Sequence, residues 1–564
     1  MGDSVLWIAR RYHTIGDFLR GFLQTDPTLW YRPIAQRTVP SVLYPLVGLQ
    51  PLAYRIVAFL LFFASTIAVF ALVERITLSR VAAWFSTIYF ATHITNAFTT
   101  YDVAFTPEIV FTLFAIGSAI AFVDYLRNPT RRLQVLSAAL FAGSLMSKES
   151  AVTLPFALIA IWLLLPDARS TPLQSLVPHF AILAAYLLLA VGVFHIRDVH
   201  FHSVWSHPVR IGQPGYEIVL GGNITDSIRL ALTWAFNISR GINGQWPPSV
   251  PSMATALKVF RIVICAATVL ALFGSRRNFI LIGIAWFFIA AAPTLALLNH
   301  FLPYYMFAPI VGFSLAIGAV LDDVRQRISK HSRQLGWVLC GSILAIPVIV
   351  NANAAGRTEE THFLLGGSAR SAFDGMNDVR ALYPAIPSRT TLVFFNEERP
   401  SLSWDQASGM LLQMAYKDDS LKSEYSVDGM KASKEDFAEG RALAFKLTNG
   451  KLIDFTSFVK QKPELLLGHA PDLPLRLELS AKEVRGADGE YGVRVSQLKD
   501  MTVNALVAHN GILTDPFPIQ LDNHGEGKVR VTGATPAGLF TYVALQLSSE
   551  PNWVTVSGTI QVIR

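Results

Sequence analysis

The sequence predicts a polytopic, all-α membrane bundle followed by a β-rich region outside the membrane. Three observations lead there. Of 564 residues, 52% are hydrophobic and only 15% are charged, and a chain of that size and composition is not organised around one soluble core. Before residue 353 the apolar residues gather in runs long enough to cross, or nearly cross, a bilayer. After residue 353 the chain becomes polar and mixed, and its last part alternates with the period of half-exposed strands.

In chain order, "MGDSVLWIARRYHTIGDFLRGFLQ" reads as an amphipathic helix lying on the membrane, since it lacks the uninterrupted apolar run of a signal peptide. Apolar segments follow near 51–73, 80–98, 105–126, 134–147, 150–165, 176–196, 256–274, 278–300, 302–321 and 335–352, about ten spans. Segments 134–147 and 150–165 are shorter than a full crossing, so they are tilted, broken or meet at a pocket, and Lys148 and Glu149 stand at their junction. The loops 74–80, 127–134, 274–278 and 322–334 are rich in Arg and Lys and alternate with loops that are not. The positive-inside rule places the basic set in the cytoplasm. Residues 1–50, 99–108, Lys148–Glu149, 197–255, 299–305 and everything after 353 then face outward. An outward N-terminal segment of that length leads us to expect a first membrane helix upstream of Met1.

Beyond the membrane part, "TTLVFFNEE" (390–398) reads as a buried strand. The segments 473–480, 527–533, 540–548 and 553–563 alternate, with turn signals between them. They predict a small antiparallel β-sandwich of immunoglobulin-like type over 473–564. The domain organisation expected is thus 1–352 in the membrane, 353–472 mixed and extracytoplasmic, and 473–564 a sandwich. Cys265 and Cys340 both lie in apolar runs, so no disulfide framework is built. The net charge of +7 comes with basic residues clustered in short loops between apolar runs; membrane orientation accounts for them, and nucleic-acid binding is not expected.

The polar residues within or beside apolar sequence gather at the outer face: Asp3, Arg10, Asp17, Arg32, Arg37, Arg55, Asp102, Glu108, Lys148, Glu149, Arg197, His200, His202, Tyr304 and Tyr305. Cations and carboxylates converging at one membrane surface suit an anionic lipid headgroup and a proton transfer: Arg and Lys hold phosphate, and a carboxylate takes a hydroxyl proton. The alternative is that they are interfacial anchors and satisfied loop charges. Arg32, between Tyr31 and Pro33, has the planar fork for bidentate phosphate binding. Glu108 stands where an acidic residue also favours a helix start. His200, His202 and His207 resemble metal ligands in their crowding, but without a convincing carboxylate partner or a Cys, and solvated loop histidines are the commoner case. No cofactor is expected with certainty, and a divalent metal ion stays open.

Four stretches, "LWYRPIAQ" (29–36), "YFATHITNAFTTYDVAFTPEIVFTLFAI" (89–116), "SLMSKESAVTLPF" (144–156) and "WFFIAAAPTLALLNHFLPYYMFAPIVGF" (286–313), occur in the order seen in GT-C glycosyltransferases. The chain resembles the branch containing the transmembrane O-mannosyltransferases with tetratricopeptide repeats and their bacterial relatives. The Tyr-Arg-Pro and Lys-Glu motifs carry most of the resemblance, which covers roughly residues 1–352; the repeats of that branch are absent. It implies transfer of a sugar, of the hexosyl or mannosyl kind, from a polyprenyl-phosphate carrier to a protein, lipid or glycan acceptor at the outer face of the cytoplasmic membrane, among membrane lipids. It also implies a base in the first outer loop. Asp3 is the residue in the matching place, though the usual acidic pair would have its partner where Gly2 or Ser4 stands. Glu108 and Asp102 are secondary catalytic candidates. Arg32, Lys148, Arg197 and Tyr31 are candidates for the donor phosphate, with Glu149 orienting Lys148 or an adjacent arginine. A transporter or flippase of lipid-linked sugars is the rival, and it would place polar groups at mid-span in repeated halves.

Overall fold

A computed structural model describes residues 2–23, 31–101, 103–166, 171–193, 222–236, 251–297, 301–361, 368–396, 399, 402–426, 431–448 and 450–461, and toward the C-terminus 478–479, 483–485, 489–494, 502–509, 512–513, 517–524, 526–531, 540–547 and 555–563. The first helices are α1 (Gly2–Ala9), α2 (Ile15–Arg20) and α3 (Thr38–Val47). The N-terminal stretch is therefore not one helix on the membrane. It divides after Ala9, and a capping box formed by Thr14 and Asp17 starts α2.

Among the described residues, six helices are long and apolar enough to cross a membrane. The first is α4 (Pro51–Thr77), 27 residues that begin with proline at the first turn; at 1.5 Å per residue it is about 40 Å long, more than the hydrocarbon core requires. The 80–98 segment is broken: α5 (Arg80–Ala91) and α6 (Thr95–Tyr101) are separated where Thr92 donates its hydroxyl to the Ile88 carbonyl and where His93 Nδ1 lies 2.8 Å from Thr95 Oγ1. Side chains that bond their own backbone in this way compete with helix continuation. Next come α7 (Thr106–Arg127), α8 (Arg131–Leu145), a 3₁₀ turn at Glu149–Thr153, α9 (Leu154–Leu164) and α10 (Val177–Leu187). The described remainder of the bundle is α11 (Gly222–Ala235), α12 (Pro251–Ala271), α13 (Arg277–Leu295), α14 (Phe307–Ser329) and α15 (Arg333–Thr361). The last of these runs beyond residue 352.

The centre of the bundle is α14, preceded by a 3₁₀ turn at Pro303–Met306; 94% of the most apolar stretch of 303–329 is buried. It packs on α13, α5 and α15. The α13–α14 crossing is close because Gly283 faces Gly312: a Cβ on Gly312 would come within 2.5 Å of the Gly283 carbonyl oxygen, which is why small residues stand at such crossings.

The arginine-rich loops come together at one end. Arg276 donates to the Thr77 carbonyl at 2.8 Å and pairs with Asp322 at 2.9 Å. Ser79 also donates to Asp322, Arg325 pairs with it, Arg327 pairs with Asp323, and Arg75 pairs with Asp124. Asp322 is fully buried, and this set of charge-assisted bonds satisfies it.

Past the bundle, residues 368–461 form an α/β unit. After the helix Ser368–Leu382 come β1 (Thr391–Phe395), β2 (Lys422–Tyr425), β3 (Ala442–Thr448) and β4 (Lys451–Asp454) in the order β2-β1-β3-β4. Strand β1 is parallel to both β2 and β3, and β3 and β4 form an antiparallel hairpin. The "TLVFF" run is central and buried on both faces, as an apolar run in a parallel sheet must be.

The C-terminal strands are β5 (Glu478–Leu479), β6 (Glu483–Arg485), β7 (Gly489–Arg494), β8 (Thr502–His509), β9 (Ile512–Leu513), β10 (Phe517–Gln520), β11 (Glu526–Val531), β12 (Phe540–Leu547) and β13 (Thr555–Ile563). They make a six-stranded sheet, β10-β8-β12-β13-β6 with β9 beside β8, and a three-stranded sheet, β11-β7-β5. The "DNHGEG" turn is closed by Asp522, whose carboxylate accepts from the His524 and Glu526 amides. The sequence predicts a purely antiparallel sandwich, whereas β13 runs parallel to β6. These pairings do not establish an immunoglobulin-like strand order.

Candidate active site

At the end of the bundle away from the arginine loops, two ion pairs lie side by side. Their chain positions are far apart, and helix packing joins them. Glu108 sits in the first turn of α7 beside Pro107, where the helix dipole favours a carboxylate. The end of α8 is locked onto α7 because Ser144 donates its hydroxyl to the Phe111 carbonyl at 2.9 Å, and Ser147 bonds back to Gly143 at 2.7 Å. That places Lys148, the residue before the 3₁₀ turn, against Glu108. Their side chains are 4% and 3% exposed. The Tyr305 and Tyr304 rings lie 4.5 Å and 5.5 Å from the Lys148 ammonium, and Phe105 stacks on Tyr304 at 4.1 Å. The tyrosines shield the cation and hold it by their π faces.

The second pair is more open. Residues 31–36 form a strap against the end of α8, held where the Ile34 amide donates to the Met146 carbonyl at 3.2 Å. From this strap Arg32 reaches Glu149 with both arms of its guanidinium: Nε to Oε2 at 2.8 Å and Nη2 to Oε1 at 2.6 Å. Arg32 is 13% exposed and Glu149 39%. The fork-to-fork geometry matches two phosphate oxygens as well as two carboxylate oxygens. Tyr31 is buried, donates its hydroxyl to the Phe22 carbonyl at 3.1 Å and lies against Tyr186. Burial pushes its phenol above the ordinary value, so it stays a neutral donor.

The structure thus joins four of the sequence candidates into a net-neutral quartet, with Tyr31 next to it on the strap. Lys148 is enclosed rather than open to a ligand, and its partner is Glu108; Glu149 pairs with Arg32. Asp3 lies near the start of α1, and its backbone position is all that is described. Asp102 and Arg197 lie outside the described residues, as do His200, His202, His207 and most of the 197–255 segment. Among the described residues no group of three or more His, Cys, Asp or Glu could hold a metal ion. His93 is buried and bonded within its own turn, a packed residue rather than an exposed base.

Comparison with known proteins bears on the segment that holds three of the four paired residues. Residues 36–195 match the family described as "Dolichyl-phosphate-mannose-protein mannosyltransferase". Over that span, which is less than a third of the chain, the sequence is similar to this mannosyltransferase family. The matched span includes Glu108, Lys148 and Glu149; Arg32, Tyr304 and Tyr305 complete the geometry from outside it. Among solved structures, the chain is similar at 10% identity to the oligosaccharyltransferase of Archaeoglobus fulgidus in its complex with zinc and sulfate (TM-score 0.41, covering 100% of this chain and 96% of that one). It is similar at the same identity to the apo form (0.43, 100% and 95%). The third, the archaeal oligosaccharyltransferase AglB from Archaeoglobus fulgidus with an inhibitory peptide and a dolichol-phosphate, gives 0.40 with 100% and 94% covered. A search of curated protein sequences gives no match. The protein is a multi-pass membrane glycosyltransferase.

Proposed function

We propose that this glycosyltransferase moves a single hexosyl unit from a polyprenyl-phosphate carrier to an acceptor hydroxyl at the face of the membrane where Arg32 and Glu149 lie. The Arg32–Glu149 fork carries the proposal. A guanidinium pre-set in the plane needed for a two-oxygen anion, at the half-open edge of the quartet, is suited to a lipid phosphate arriving from the bilayer surface. In the reaction the acceptor oxygen attacks the anomeric carbon. The bond from that carbon to the phosphate oxygen breaks, its electron pair stays on the phosphate, and the hydroxyl proton passes to a carboxylate. Arg32 neutralises the charge that grows on the leaving phosphate. Asp3 is the proposed base, with Asp102 second. The enclosed Glu108–Lys148 pair braces the turn that presents Glu149.

The site end is proposed to face outward from a cytoplasmic membrane, because the arginine-rich loops gather at the opposite end. The α/β unit and the sandwich region are then extracytoplasmic. Protein, lipid and glycan acceptors are all compatible with a surface site of this kind.

The test uses membranes holding equal amounts of each variant, polyprenyl-phosphate-linked radiolabelled mannose as the donor probe, and extracted lipid and protein fractions as acceptors. Arg32→Ala is expected to lower transfer by about 10²-fold or more, as for a lost charge-stabilising donor. Arg32→Lys is expected to recover part of it, since charge is kept and the fork is lost. Arg32→Ala at wild-type rates would overturn the assignment of the phosphate site.

A further inference from the structure

The N-terminal helix packs on the α/β unit. Val5 and Ile8 of α1 are buried in one apolar cluster with Leu392, Leu411 and Leu412 of the α/β unit and with Tyr54 at the start of α4. The α/β unit meets α1 through the short helix Met410–Tyr416 and the turn before it. That turn is unusual: Ala407, Ser408 and Gly409 all have positive φ, at 49°, 53° and 94°. Two consecutive non-glycine residues in this region persist only where the surroundings over-determine them. Gly409 is required twice over, since a Cβ there would also lie 2.3 Å from the Ser423 hydroxyl of β2.

From α1 the contact continues to the site. Arg11 lies 3.7 Å over the Tyr44 ring of α3, and the Tyr12 amide donates to the Ser41 hydroxyl at 2.7 Å. The Tyr12 hydroxyl donates at 3.2 Å to the carbonyl of Pro33, the residue after Arg32. We infer that the α/β unit is a positioning element of the active site: it clamps α1 and, through Tyr12, holds the strap that carries Arg32. The inference rests on the proposed role of Arg32 for its effect on transfer, and on the packing alone for its effect on the strap. It makes residues 368–461 a working part of the site rather than an appendage to the membrane domain.

The test is Ile8→Asp in the full chain, with Ile8→Val as the conservative control. Two readouts are taken: amide hydrogen exchange of the full-length protein in lipid nanodiscs, and kcat and donor KM with the mannose donor probe. In Ile8→Asp, exchange in 2–9 and 31–37 should rise at least about 10-fold, while strand 391–395 stays protected, showing the α/β unit folded. kcat should fall by about 10²-fold, the scale set by small misplacements of reacting groups, with donor KM changed less than kcat. Ile8→Val should match the wild type in both. Unchanged exchange of the 31–37 strap overturns the clamp, and raised exchange with wild-type kcat overturns its role in catalysis. Failure of the Arg32 reading shows separately, as full activity of Arg32→Ala with the strap still ordered by α1.

Discussion

Replacing Lys148 by alanine leaves Glu108 as a carboxylate with no compensating charge in a site from which water is excluded. Both side chains are under 5% exposed, and the Tyr304 and Tyr305 rings close the space around the ammonium. Breaking a buried pair by removing one partner costs about 3–5 kcal/mol, a large part of the roughly 5–15 kcal/mol by which folded proteins are stable. The companion change removes the difficulty: Glu108→Leu with Lys148→Met replaces two buried charges by apolar groups of similar volume, a substitution that is often neutral. Denaturant titration of purified protein in detergent should therefore show Lys148→Ala destabilised by about 3–5 kcal/mol, and the double variant within about 1 kcal/mol of the wild type. Because the pair is neutral as a whole and enclosed, the double variant should also keep transfer within about 10-fold of the wild type, whereas Arg32→Ala should not. Single and double variants of equal stability would refute the enclosed-pair geometry. A stable but inactive double variant would mean that Lys148 itself reaches the phosphate.

At the α13–α14 crossing, Gly312→Val should lower stability and expression strongly, because its Cβ meets the Gly283 carbonyl, a backbone atom with no freedom to move aside; size-exclusion recovery from detergent measures it. At the arginine-rich end, Asp322→Ala should strand Arg276 in particular and cost about 3–5 kcal/mol, with donor KM unchanged because the site lies at the opposite end.

The apolar runs were legible because each helix that can cross a membrane is a long stretch with few charges, and periodicity is not needed to see it. The break at Thr92–Ile94 was not, because it depends on hydroxyl and imidazole bonds to nearby backbone and side chain rather than on a glycine or proline. The Lys148–Glu149 junction between two short helices could be read, and so could the Tyr-Arg-Pro strap. Who pairs with whom could not: Arg32 and Glu149 are 117 residues apart in sequence, and adjacency on paper favours Lys148 with Glu149. The apolar face of α1 shows equally well in either setting, since Val5 and Ile8 would suit lipid as they suit a protein core; composition does not say which apolar partner arrives. The central strand "TLVFF" was visible as a buried run, whereas the short helices around it, some of four to seven residues, carry too little pattern to read.

The depth at which α14 is buried separates the site from the lipid around it. Helices α4 and α15 have only 28% of their apolar stretches covered, so a thicker or thinner bilayer acts on them, by tilt or by local deformation of the lipid. The helix that follows the Tyr304–Tyr305 cover and carries the Asp322 anchor is almost wholly enclosed by protein, so those adjustments reach it only through its neighbours. The end that holds the two ion pairs is in this sense suspended on an inner mast, set apart from the adjustments that the outer helices make to bilayer thickness.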